Sequence, residues 1–144
     1  MKNYLLSLLT LTVLMTLNLE ARDTKYLFPI EDALTKHSDN VAPNIKLYFA
    51  TQSPEGEPDH LGTFTSNKTT NARLKGPRPS CDWVFISAVL GLQQKAMELG
   101  GDAVINIHSY YKEIEMSDES VYECHDGKNV SRVVLRGTVV RLEE

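Results

Sequence analysis

Apolar residues recur at intervals of three and four from Phe85 through Val89, Leu92 and Ala96 to Leu99, a spacing that predicts an amphipathic helix from Cys81 to Leu99. Ser80 stands as its N-cap with Asp82 in the first turn, and Gly100-Gly101 stops it. Trp83, Ile86, Leu90 and Met97 widen the apolar face, while Gln94, Lys95 and Glu98 mark the wet side. The first half is apolar almost all round, and Ser87 and Gly91 are small enough to let another backbone approach. That pattern predicts burial on more than one side, as in a homo-oligomer formed through the helix 81–99.

After the two glycines the period changes to two. Ala103, Ile105 and Ile107 share one face of a strand, and Val104, Asn106, His108 and Tyr110 share the other. The strand is expected to run to Met116, turn at Ser117-Asp118-Glu119 and return as Val121 to Cys124. Asp126-Gly127 is a hairpin signal, and Val130 to Leu142 forms the longest strand. Earlier in the chain, Pro29 to Lys36 reads as a short helix and Ile45 to Phe49 as a strand. The stretch from Thr51 to Ser80 is rich in proline and glycine and is expected to be mostly loop, with one short strand at Leu61 to Ser66. The fold class is therefore α+β: an antiparallel sheet, made of a C-terminal three-strand meander plus one or two N-terminal strands, packed against one long amphipathic helix.

The first residues follow a different logic. Lys2 supplies a positive start, Tyr4 to Leu17 an apolar run, and Leu19-Glu20-Ala21 a cleavage point, so Met1 to Ala21 reads as a signal peptide. Asn3, Ser7, Thr10, Thr12, Thr16 and Asn18 dilute the run, which argues against a membrane anchor, and Arg22 rather than a cysteine follows, which argues against a lipid anchor. The expected product, residues 22–144, is a single α+β domain in the periplasm or secreted, with no membrane association after cleavage.

Export changes the meaning of the two cysteines. In an oxidising compartment Cys81 and Cys124 are expected to form a disulfide tying the start of the long helix to the meander. The net charge is −4, and Arg73, Lys75 and Arg78 are the only small basic group, so nucleic acid is not expected as a partner. No Gly-x-Ser-x-Gly or His-Glu-x-x-His pattern occurs. The one constellation with chemistry is a polar sheet face of Asn106, His108, Tyr110, Arg132 and Arg136, able to bind a polar or anionic ligand. A hydrolytic site would instead join His108 to an acidic residue such as Glu113 or Glu123.

The block from Ser80 to Leu142 resembles the small bacterial YbjQ-like family, through Leu99-Gly100-Gly101-Asp102-Ala103-Val104 and Leu135-Arg136-Gly137-Thr138-Val139-Val140. The same turn is similar to that of the lipid-anchored RcsF-like envelope-stress sensors. Over residues 22–144 the chain looks like exported bacterial proteins labelled "excinuclease ATPase subunit", through Ala21-Arg22-Asp23, Ser109-Tyr110-Tyr111 and Tyr122-Glu123-Cys124-His125. An ATPase of that kind needs a glycine-rich loop ending in Gly-Lys-Ser/Thr, whereas Gly127-Lys128 is followed by Asn129. Excinuclease zinc modules need more than two cysteines. The YbjQ-like resemblance implies ring assembly and has been associated with heavy metals. The nearby ligand types are Cys124, His125, His108, His60 and His37, but none is paired at metal-ligand spacing and no metal site or cofactor is expected. These readings converge on an exported, non-enzymatic binding or assembly protein with an unknown protein or envelope partner, a metal-binding or metal-sensing envelope protein being the alternative.

Overall fold

A computed structural model describes residues 22–143. The expected signal peptide, Met1–Ala21, lies outside the described residues. The α+β class holds, with six strands and two helices in the order β1 (Thr24–Pro29), α1 (Ile30–Lys36), β2 (Lys46–Phe49), β3 (Asp59–Asn71), α2 (Pro77–Leu99), β4 (Ala103–Ser109), β5 (Val121–Asp126) and β6 (Val130–Arg141). All six strands belong to one sheet with β6 at its hub. β3 lies antiparallel along one edge of β6 from end to end. The other edge is shared by β4 and β5, which carry β2 and β1 respectively on their far sides.

This arrangement corrects the expected meander. β5 meets β6 only at His125↔Arg132 and Asp126↔Ser131 and pairs mainly with β1, while β4 pairs directly with β6. The sheet is mixed rather than antiparallel, because β2 runs parallel to β4. β1 had not been expected. Tyr26 and Phe28 alternate toward the helix side and their rings stack at 5.2 Å, but the strand is short and runs straight into α1.

β3 is the largest departure. The stretch expected to be mostly loop holds a strand of 13 residues. Threonines give it β-propensity, yet its outer face is wet and its inner face carries only Leu61 and Phe64 as large apolar residues, so the alternation was muted. α2 also begins earlier than Cys81. Gly76 at φ 74° leads into it with Pro77 in the first turn, and Ser80, expected as the cap, instead donates from within the helix to the Gly76 carbonyl at 3.0 Å. Gly100 ends it in the left-handed conformation, φ 70°.

β4 stops at Ser109 instead of continuing to Met116, and a 3-10 turn, Tyr111–Glu113, follows. Inside β4, Asn106 takes φ 50° and the register with β6 slips between Ile105 and His108. That bulge adds one residue to the strand. Val104 and Ile107 consequently share the core face, where alternation alone had placed Ile107 with Ile105.

The core lies between α2 and the sheet. Val84, Phe85, Ala88, Val89, Leu92 and Ala96 pack against Val104, Ile107, Tyr122, Val133, Leu135 and Val139. Phe85 stacks on Tyr122 with ring centroids 4.1 Å apart. The second side of α2 is covered from within the chain: Gln93, 0% exposed, accepts from the Ala42 amide at 2.9 Å and donates to the Ala42 and Ile45 carbonyls at 3.0 and 2.9 Å. What the helix leaves uncovered is narrower than expected, a line containing Trp83, 45% exposed, and Met97.

Candidate functional site

Cys81 and Cys124 form the expected disulfide, with Cα atoms 5.9 Å apart and both residues fully buried. It pins the first turns of α2 to β5. Next to it, Asp82 is 1% exposed and accepts from the Tyr122 hydroxyl at 2.6 Å and from Arg78 Nε at 3.0 Å, with Lys36 Nζ at 4.0 Å. Burial, followed by the bond to Asp82 and its charge, holds the Tyr122 phenol far above its ordinary value.

On the opposite face of the sheet, β6 turns Arg132, Val134, Arg136 and Thr138 outward, since Val133, Leu135 and Val139 belong to the core. His108 lies opposite Arg136 in register, the Arg136 guanidinium sits 4.8 Å over the Tyr110 ring, and His108 meets that ring edge-on at 5.9 Å. Three of the five candidate face residues thus come together. Asn106, on the bulge, contributes its backbone carbonyl 2.7 Å from His108 Nδ1. Arg132 stands four residues along β6 from Arg136, donates to Asn67 Oδ1 at 3.3 Å and faces His125 in register. A shallow pocket of about 340 Å³ beside Tyr110 is lined by Thr65, Asn67, Lys112, Glu113 and Val134. Among the described residues, no carboxylate lies within ion-pair distance of Arg132, Arg136 or Lys112.

A second cluster, outside the five candidate residues, lies on this face. His125 lies between two carboxylates, Nδ1 3.0 Å from Asp23 Oδ1 and Nε2 2.6 Å from Glu123 Oε1. Tyr111 stacks on the ring at 3.5 Å and donates its hydroxyl to Asp23 Oδ2 at 2.9 Å. Burial raises the Tyr111 phenol, helped by the bond to Asp23. These four side chains form a clasp joining the start of β1, the turn after β4 and β5. The sequence held a signal in the alternation of Glu123 and His125, but Asp23 is 102 residues from His125 and only the β1–β5 pairing joins them.

These placements bear on the other candidates. Glu123 bonds His125 rather than His108, and among the described residues the His125 nitrogens meet only the Asp23 and Glu123 carboxylates. Cys124 is consumed by the disulfide, and the two carboxylates hold opposite edges of the His125 ring instead of converging. Among the described residues, no three His, Cys, Asp or Glu side chains are grouped to hold a metal ion, and no helix is long and apolar enough to cross a membrane. No protein-family model, curated protein or solved structure matches the chain.

Proposed function

We propose that the chain is an exported, non-catalytic binding protein whose outer sheet face is its contact surface, acting in the periplasm or outside the cell after removal of Met1–Ala21. The carrying observation is the Arg136–Tyr110 stack, flanked by Arg132 and Lys112, none of these cations being paired with a carboxylate among the described residues of a chain of net charge −4. A guanidinium over an aromatic ring is a common anchor for an acidic or aromatic group. The disulfide supports an oxidising compartment. An ATPase or excinuclease role finds no support, since Gly127-Lys128-Asn129 forms the β5–β6 hairpin.

The test is an aromatic photo-crosslinking amino acid, which keeps a ring under Arg136, at Tyr110 in the exported protein, with the same group at the exposed Asp39 after α1, away from both the outer face and β3, as control. A discrete adduct from position 110, weakened by Arg136→Glu, is expected. Equal and diffuse labelling from both positions overturns the reading.

A further inference from the structure

β3 is an edge strand throughout its length: it pairs with β6, and among the described residues nothing pairs with its other side. One bond fixes which of its groups are free. The Ala72 amide donates to the Asn129 carbonyl at 2.9 Å, and the register runs unbroken from Gly62 to Asn71. Even-numbered residues therefore turn their amides and carbonyls to β6, and Thr65, Asn67 and Thr69 turn theirs to the open edge. All three are exposed. Long edges are normally blunted by proline, bulges or several charges. This one has no proline, its bulge lies at the far end between His60 and Gly62, and Lys68 is the single charge from Leu61 to Asn71.

Beside the edge, on the helix side, runs a groove of about 440 Å³ between β3 and α2, lined by Phe64, Ser66, Lys68, Gly91, Lys95 and Glu98 among others. Ser66, 6% exposed, lines it with a buried hydroxyl that has no hydrogen-bond partner among the described residues. Gly91 makes this wall possible, since a Cβ there would collide with the Ser66 hydroxyl. Charge decides the occupant. Among the described residues, Lys68 on the groove side, and Arg132, Arg136 and Lys112 on the other face, flank β3 without an ion-pair partner, while Lys95 is held by Glu98 at 3.1 Å. A second copy of the chain would bring these cations against each other. An acidic strand would neutralise them.

We infer that the open edge of β3 is a strand-addition site for an acidic, extended segment of a partner protein, whose backbone pairs with Thr65, Asn67 and Thr69 and whose alternate side chains enter the groove against α2. The inference rests on the reading of the chain as a binding protein and specifies where and how it binds.

The probe is a capped octapeptide of alternating valine and glutamate, compared with the same peptide N-methylated at alternate amides and with a lysine-for-glutamate version. Binding is followed by amide shifts in the isotope-labelled protein. Asn67→Pro removes an outward N–H without touching the β6 ladder, and Lys68→Glu reverses the charge beside it; unchanged spectra elsewhere show that both variants fold. Shifts confined to β3, the Gly91–Glu98 segment and the flanking Tyr110–Lys112, Arg132 and Arg136 are expected, with affinity lowered at least about tenfold, roughly 1.4 kcal/mol, by N-methylation or by Asn67→Pro, and lost with the lysine peptide. No shift at millimolar peptide, or binding indifferent to N-methylation, overturns the inference. So does edge protection that grows with protein concentration alone, the mark of a second copy. If Asn67→Pro leaves the position-110 crosslink intact, the edge inference falls and the binding reading stands; if the crosslink is absent as well, both fall.

Discussion

Gln93 shows how one polar side chain joins two layers. Its amide makes three hydrogen bonds to the backbone of Ala42 and Ile45, so a segment with little regular structure is fixed against α2 by polar bonds as well as by the apolar packing of Val41, Ala42 and Ile45. Replacing Gln93 by leucine keeps the volume but leaves those backbone groups unpaired in a dry place, and each such group costs about 1–3 kcal/mol. We expect Gln93→Leu to lower unfolding stability by about 2–4 kcal/mol, read from the urea midpoint. A change under 0.5 kcal/mol would mean that water replaces the amide. Nothing in the helical period distinguished Gln93 from the solvent-facing Gln94 beside it, because its partners lie 51 and 48 residues away.

At the scale of elements, the first turns of α2 carry the clearest electrostatic consequence. The Tyr122 phenol, raised above its ordinary value of 10.0 by burial and Asp82, stays protonated in the folded chain where the unfolded chain has begun to ionise. The unfolded state then binds fewer protons, so this stability is complete below about pH 10 and falls as pH rises beyond it, by up to about 1.4 kcal/mol per pH unit. Comparing wild type with Tyr122→Phe isolates this contribution from the lysines that titrate nearby. The wild type should lose stability faster above pH 10, and parallel profiles would refute the assignment. The same scale explains what the sequence disclosed. α1, β2, most of α2, the hairpin at Asp126-Gly127 and β6 were legible because period, caps and turn residues agree there. β3 was not, because a wet edge strand has no strong alternation. β4 misled through Asn106, whose bulge shifts the phase of every later residue, so that Val104 joined Ile107. Of the candidate face, His108, Tyr110 and Arg136 were found from strand alternation, while Asp23 and Tyr111 depended on pairings that no local pattern encodes.

At the scale of the whole molecule, the disulfide closes a loop between residues 43 apart. The chain-entropy model gives about 4 kcal/mol for such a loop, a large share of the stability of a domain this size. The double variant Cys81→Ala, Cys124→Ala should lose stability of that order in urea denaturation, and an unchanged midpoint would show that the bridge adds nothing to the reduced chain's own packing. The first strand sets a further condition. Tyr26 of β1 pairs with Cys124 of β5, and Arg22 reaches Asp126 at 3.0 Å. A chain delivered from its N-terminus thus presents its opening strand long before that strand's partner exists. Closure waits for nearly the whole length to emerge, and until then Tyr26, Leu27 and Phe28 have no β5 to pair with. Such high contact order makes folding slow relative to a helical bundle and leaves the emerging chain open to holding factors. β6, the hub, comes later still, so β3 waits for its partner until the last strand arrives.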